Sequence, residues 1–388
     1  MDIDLLDSDF HTFDPWDTYR WMREEAPLYF DEKNGIWAVS RYDDIIKISK
    51  DQETFTSESG PRPLVPPDPS MLCQGGRQHA LQRGIIAKGF TPKHVAELEP
   101  YLRGVVRQLI DEMVEKGGGD FVEDFAALIP MRAIGKLAGV PIEDQAQMLR
   151  WLDVFVRGGD GPQAITEEVD DAFYEFAEYH EEMVEARRGC PAKDLLSIWM
   201  NADIDGEQLD DVQLLFEHTV LLVGGAETTR NAISGGLEMI CRHPEQWEWL
   251  KDHPEGAANA AEEFIRWVSP FVNMARSATR DVEMHGRTIE EEQEIVMLYP
   301  AANRDPDHFD DPEEFNVQRH FRSPQIAFGH GRHFCLGAAL ARQELRITLE
   351  ELLPRITNLR ITDGKEIVRR RSSFIRGLTE LPITFDLR

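Results

Sequence analysis

The chain is poor in cysteine. Only four occur in 388 residues, Cys73, Cys190, Cys241 and Cys335, and no two stand at CxxC spacing. A disulfide framework and a cysteine-held iron–sulfur cluster are therefore excluded, and a reducing, cytoplasmic compartment is expected. Positive charge is scarce as well: 42 lysines and arginines face 71 aspartates and glutamates, a formal net charge of −29. Such a field repels phosphate backbones and anionic lipid headgroups, which argues against nucleic-acid and membrane-surface partners. No stretch approaches the roughly 18 apolar residues that span a bilayer, and no basic segment leads an apolar one at the N-terminus, so no membrane anchor is expected. Internal repeats, low-complexity tracts and an interdomain linker are also missing. With 41% hydrophobic and 29% charged residues the chain can bury a large core.

What is present is mostly helical. Residues 15–25 read as a helix, and two short apolar runs, 28–30 and 35–39, flank Asn34-Gly35, a pair that favours a type I′ hairpin turn. Five prolines between 59 and 69 exclude helix or central strand and predict a long ordered loop with a task of its own. Thr91-Pro92 supplies a helix cap followed by proline at the first position, and helical patterning then runs to about residue 245. Its longest piece extends from about Leu209 to Arg242, where His243-Pro244 stops it, a length of roughly 50 Å. We expect one domain over 1–388, mainly α with small β-sheets. The helical body occupies about 75–268 and 336–353, and the minor β parts about 28–40, 271–299 and 365–388.

The most informative segment is Phe328-Gly-His-Gly-Arg-His-Phe-Cys335-Leu-Gly337. A glycine-rich coil delivers Cys335 to the start of the Leu336–Leu353 helical pattern, where free N–H groups and the positive helix end favour thiolate. Three readings follow: a zinc site from His330, His333 and Cys335, an inert buried thiol, or a haem ligand. The spacing Phe328-x-x-Gly331-x-x-x-Cys335-x-Gly337 resembles the haem-thiolate loop of the cytochrome P450 family. With 20 Phe, 28 Gly and 4 Cys in the chain, that coincidence is expected by chance roughly 0.001 times.

Other markers of the family occur in the same order. Leu221-Leu-Val-Gly-Gly-Ala-Glu227-Thr228-Thr229 is similar to its oxygen-binding helix segment. There Gly224-Gly225 strips side chains from one face, and a threonine hydroxyl can turn back onto the carbonyl four residues earlier. Glu263-Phe-Ile-Arg266 and the coil ending at Arg319 resemble the family's structural Glu/Arg network. His79-Ala-Leu-Gln-Arg83 places two side chains on one helix face and resembles the propionate-binding helix, although Cys73-Gln-Gly-Gly-Arg77 replaces the usual acidic and proline residues before it. Arg276 and His333 match the remaining propionate positions.

The resemblance implies a single-domain P450 fold whose long central helix crosses over haem b. Cys335 is then the axial iron ligand, His79, Arg83, Arg276 and His333 hold the cofactor, and Glu227 and Thr228 are catalytic. One atom of dioxygen would enter a C–H bond of an apolar substrate, with steroids, terpenoids and branched fatty chains as the expected class. Leu64, Val65, Val223, Phe271, Val272, Phe374 and Ile375 would line the pocket. Nothing remains for a fused reductase, so electrons are expected from ferredoxin and an NAD(P)H-dependent ferredoxin reductase, docking on a face made basic by Arg77, Lys88, Arg332 and Arg342. The chain is expected to act as a monomer. Two alternatives stay open at this point. One is a hydrogen-peroxide-driven peroxygenase, against which the Glu227-Thr228 pair argues, and the other is a non-enzymatic haem sensor or carrier.

Overall fold

The computed structural model describes residues 1–190 and 192–388. A helix of 32 residues, Asp211–Arg242, forms its centre and spans about 48 Å. Asp210 and Gln213 close a reciprocal capping box at its start, which places the first helical residue at Asp211 instead of Leu209. At its end His243 leaves helical geometry and Pro244 opens the next helix. The helices Leu128–Ala138, Ala257–Val268 and Ala338–Leu352 pack directly on this central helix. Glycine permits their approach: a Cβ on Gly225 would stand 2.5 Å from Ile134, and one on Gly236 1.9 Å from the Phe264 ring. Above them, Gln145–Gly158 and Glu167–Gly189 pack against each other, and the first also touches the central helix.

The β portion is centred on a five-stranded sheet, ordered Leu28–Asp31, Ile36–Val39, Glu294–Leu298, Asn273–Ala278, Phe55–Thr56. The second and third strands are parallel and the other neighbours antiparallel. Alternation along the strand sends Trp37 and Val39 to the cluster of Ile45 and Ile48, and Ile36 and Ala38 to that of Tyr19 and Met22. Both faces are covered, which is why residues 36–39 form an unbroken apolar run.

The first hairpin corrects one expectation. Asp31 pairs with Ile36, so the loop has four residues, and of Asn34 and Gly35 only Gly35 takes a positive φ, 71°. The Asp31 carboxylate accepts from the backbone N–H groups of Lys33 and Asn34 at 3.0 and 3.1 Å, which favours the wider loop over a two-residue turn. The helix Tyr42–Lys50 and the strand Ile356–Ile361 were not anticipated. Among the described residues no helix is long and apolar enough to cross a membrane.

Candidate active site

The cysteine loop is shaped by two left-handed glycines, Gly329 at φ 70° and Gly331 at φ 73°. A Cβ on Gly331 would stand 2.3 Å from the Ser49 carbonyl oxygen, so the helix Tyr42–Lys50 backs the loop at backbone distance. The Cys335 N–H returns to the Phe328 carbonyl at 2.9 Å and closes the loop. The following helix starts at Ala338 with Gly337 as its cap, two residues later than the apolar pattern suggested. Cys335 keeps some accessible surface although protein surrounds its thiol. Burial pushes the thiol above its ordinary pKa; the N–H groups of Gly337 and Ala338 and the cations Arg83 and Arg342 act against it. The helix-start effect is thus present but is smaller than desolvation.

Arg342 is paired with Glu262, but three other cations of this region have no acid partner among the described residues. The helix Gly76–Ala87 carries His79 and Arg83 on one face, and Arg83 donates to the Phe334 carbonyl at 2.5 Å. Arg276, 7% exposed on its strand, donates to the Ala275 carbonyl, and Arg332 donates to that of Gly76. Among the described residues none of the three pairs with a carboxylate, in a chain with a net charge of −29. The rings of His79 and His333 lie 4.3 Å apart, and His333 Nε2 is 3.2 Å from Ser57 Oγ. His79 is 1% exposed and neither of its ring nitrogens has a partner among the described residues. Burial first, then Arg83, Arg332 and Arg276, lower its pKa to about 4. Burial and the same cations drive His333 down too. A buried Arg276, a half-buried Arg83 and imidazole nitrogens, all lacking a counter-charge, fit the two propionates of haem, and the adjacent thiol fits its iron. The zinc reading fails: among the described residues no three His, Cys, Asp or Glu side chains could hold a metal ion.

On the central helix the two glycines have different tasks. Gly225 lets Ile134 approach, whereas a Cβ on Gly224 would meet nothing within 4 Å. The expectation that both clear one face is corrected accordingly: successive helix positions are about 100° apart. The Thr228 hydroxyl donates to the Gly224 carbonyl at 2.9 Å, and Thr228 keeps partial exposure while Thr229 is buried. Glu227 is 0% exposed. Arg230 Nη2 stands 2.7 Å from its Oε2, though not aimed as a hydrogen bond, and Arg370 Nη2 is at 3.9 Å. Burial raises the Glu227 pKa, and Arg230 and Arg370 oppose the rise. Both arginines also reach Asp153, whose side chain is 42% exposed. Sequence analysis missed both arginines: the i,i+3 spacing could have found Arg230, whereas no local signal marks Arg370.

Glu263, Arg266 and Arg319 are all buried and bonded together. Glu263 accepts from Arg266 Nε and Nη2 at 2.7 and 2.8 Å, and from Arg319 Nε at 2.9 Å. Of the expected pocket residues, Val223 is half-buried beside Gly224, and Leu64 and Val65 sit on the proline-rich loop. Phe271 and Phe374 stack at 4.8 Å. Val272 and Ile375 depart from the expectation, for both are 0% exposed: Val272 packs in the Tyr19 cluster, and Ile375 bridges to the Phe271 backbone.

A deep thiol at the head of a helix, ringed by imidazoles and acid-free cations, defines a haem-thiolate protein. Known proteins agree with it: the Cytochrome P450 family model matches residues 258–374. A steroid C26-monooxygenase of Mycobacterium tuberculosis is 37% identical, aligned over 99% of this chain and 97% of its own. One from Mycolicibacterium smegmatis is 35% identical over 99% of this chain and 96% of its own. The structure of CYP109E1 from Bacillus megaterium in complex with testosterone superposes with a TM-score of 0.89 at 31% identity, covering 96% of this chain and 98% of that one. The chain belongs to the cytochrome P450 family and is a P450 monooxygenase that carries haem b.

Proposed function

We propose that this P450 oxidises the alkyl side chain of a steroid, or a terpenoid or branched fatty chain of similar bulk. The observation that carries the reading is full-length similarity to two steroid C26-monooxygenases together with a testosterone-bound structural neighbour. Electrons would come from a separate ferredoxin and ferredoxin reductase. When bound, haem supplies an iron centre at which dioxygen is activated, and thiolate ligation favours O–O cleavage. Cys335 is the thiolate ligand. Arg83 and Arg276 supply positive charge to the propionates, while His79 and His333 offer them ring N–H groups. In this reading the substrate lies in a groove along the central helix at Val223 and Gly224, with the stacked Phe271 and Phe374 as further apolar contacts. Thr228 holds a hydroxyl at the edge of that groove. Glu227 is the buried acid beside it, and Arg230 and Arg370 link that carboxylate by charge to the partly exposed Asp153.

A titration of the haem spin state tests the substrate class. Sterols retaining their side chain should shift the Soret band, and the same nucleus without a side chain should shift it weakly. A panel in which no steroid binds while linear fatty acids do would refute the substrate class and leave the family assignment standing.

A further inference from the structure

The proline-rich loop sends one charged side chain inward. Arg62 is 7% exposed although Leu64, two residues on, is 38% exposed. Its Nε and Nη2 donate to the Gly159 carbonyl at 3.0 and 2.9 Å, and its Nη1 donates to the carbonyl and the side-chain oxygen of Asn273, both at 2.8 Å. The guanidinium carbon lies 3.7 Å from the centre of the Phe374 ring. Four segments distant in sequence therefore meet at one side chain: the loop, the end of the helix Gln145–Gly158, the strand Asn273–Ala278, and the C-terminal loop. They are also joined to one another. Asp160 accepts from Ser372 Oγ at 2.5 Å and from the Phe374 N–H at 3.0 Å, and Asn273 donates to the Ser373 carbonyl at 3.1 Å. Gly159 is needed at this junction, because a Cβ there would stand 2.3 Å from the Phe374 ring.

The chemistry of this tie differs from that of the permanent one in the same molecule. Glu263 holds Arg266 and Arg319 by charge, and breaking that network strands a buried carboxylate. Every hydrogen-bond acceptor of Arg62 is a neutral oxygen, with Asp160 and Glu294 acting on it only through space. Releasing Arg62 leaves carbonyls that water can satisfy and a guanidinium that keeps its charge in solvent. The planar fork also presents donors on two edges at once while its face lies on the aromatic ring, which an ammonium cannot do.

We infer that Arg62 is a releasable latch on the substrate pocket: it pins the loop and the end of the helix Gln145–Gly158 over the Phe271–Phe374 pair, and bulky substrates enter and leave through its release. The inference rests on the pocket reading given under Proposed function. Arg62 is a positioning residue and takes no part in the oxidation.

Stopped-flow binding of two azoles to the haem-loaded protein tests it, with clotrimazole as the bulky ligand and imidazole as the small one. Arg62→Ala should raise both the association and dissociation rates of clotrimazole about tenfold, the equivalent of about 1.4 kcal/mol off the opening barrier, and leave those of imidazole near the parent value. Arg62→Lys should resemble Arg62→Ala, because a point charge cannot span Gly159 and Asn273. Asn273→Ala, which removes one of the four Arg62 bonds together with the Asn273–Ser373 bond of the same junction, should give a smaller rise of about threefold in the same ligand-selective sense. Parental clotrimazole rates in Arg62→Ala, or equal acceleration of both ligands, would overturn the latch. If Arg62→Ala does not retain haem, Asn273→Ala decides by the same comparison. A parent without the thiolate carbon-monoxide band would overturn the haem-thiolate reading beneath the latch; a parent with that band and unchanged variant rates would overturn the latch alone.

Discussion

Arg319 donates through Nε to the carboxylate of Glu263, 56 residues earlier in the chain, at 2.9 Å. Arg266 takes the same carboxylate from its own helix, and both arginines spend their remaining N–H groups on carbonyls between Asn303 and Glu314. One carboxylate thus fixes the coil that leads into the cysteine loop. Glu263→Gln keeps the shape but leaves two buried guanidiniums without their counter-charge, a loss of about 3–5 kcal/mol by analogy with other broken buried pairs. Haem-loaded protein should be nearly absent after expression at 37 °C, and its Tm sharply lowered. Asp17→Asn, at a side chain 92% exposed in its pair with Arg20, should leave both unchanged.

Cys335→Ser should abolish the thiolate-type spectrum of the reduced, carbon-monoxide-bound protein. The loop should stay closed in the variant, because that closure runs from the backbone N–H of Cys335 to the Phe328 carbonyl and does not involve the side chain. Retention of the band would assign the iron to another residue. Cys73 and Cys241 serve as controls, since burial pushes both thiols up to about 12 and the acids Asp68 and Glu238 beside them add to the rise.

The sequence was most legible where one local rule decides the outcome. The C-terminal end of the central helix follows from Pro244 and the cysteine loop from its glycines and a spacing, whereas the Asp210 cap that sets the helix start went unread. Arg83 was readable because an i,i+4 repeat fixes a helix face. Apart from Arg319, which the family resemblance supplied for Glu263, tertiary partners were not readable. Nothing near Glu227 announces Arg370, and nothing in the loop 59–69 announces that Arg62, among its prolines, turns inward to Gly159 and Asn273. Val272 and Ile375 show the same limit from the other side: beside Phe271 and Phe374 they look like pocket residues, and only packing assigns them to the core.

Glu217 makes the protein's stability depend on pH. It is 0% exposed on the central helix, its Oε1 accepts from the Met71 N–H at 2.7 Å, and burial pushes its pKa up to about 8. A carboxyl whose folded pKa lies above its unfolded value binds more protons when folded, so stability is lost as pH rises from the unfolded value through about 8. Each tenfold difference in proton affinity between the folded and unfolded chain corresponds to about 1.4 kcal/mol. Glu217→Gln should therefore flatten the fall in Tm between pH 6 and pH 8.5 and gain most at the alkaline end. Parallel Tm curves for parent and variant would show that the carboxyl ionises without cost.

Of the four cations expected on the ferredoxin-docking face, two are paired with acids. Arg77 pairs with Asp205 at 2.7 Å and Arg342 with Glu262, which leaves Lys88 and Arg332 free of acids among the described residues. If an acidic ferredoxin docks here, Lys88→Gln and Arg332→Gln should each slow reduction severalfold at low salt, and Arg77→Gln much less. Raising ionic strength should erase the difference, because exposed charges are screened beyond about 10 Å at 0.1 M. Rates that are insensitive to salt and to all three substitutions would move the docking site elsewhere.

The two adjacent threonines of the central helix separate the oxygen-handling role from simple packing. Thr228 keeps partial exposure beside Gly224 and bonds its carbonyl, whereas Thr229, about 100° around the helix, is buried. Only Thr228 can then offer a hydroxyl to the groove. Thr228→Ala removes that hydroxyl and leaves the cations, the thiol and the aromatic pair untouched, so haem loading and the substrate-induced spin shift should persist. Proton delivery should fail instead, and electrons taken from NAD(P)H should appear increasingly as hydrogen peroxide. Proton-transfer groups typically contribute about 10²–10⁴-fold, so product per NAD(P)H should fall by at least an order of magnitude. Thr229→Ala should cost stability through a small cavity and keep its coupling. Glu227→Gln should lower turnover with a larger solvent isotope effect, because the carboxyl at the head of the Arg230–Asp153 chain could no longer take up and release a proton. Equal coupling in Thr228→Ala and Thr229→Ala, both near the parent value, would refute the assignment of Thr228.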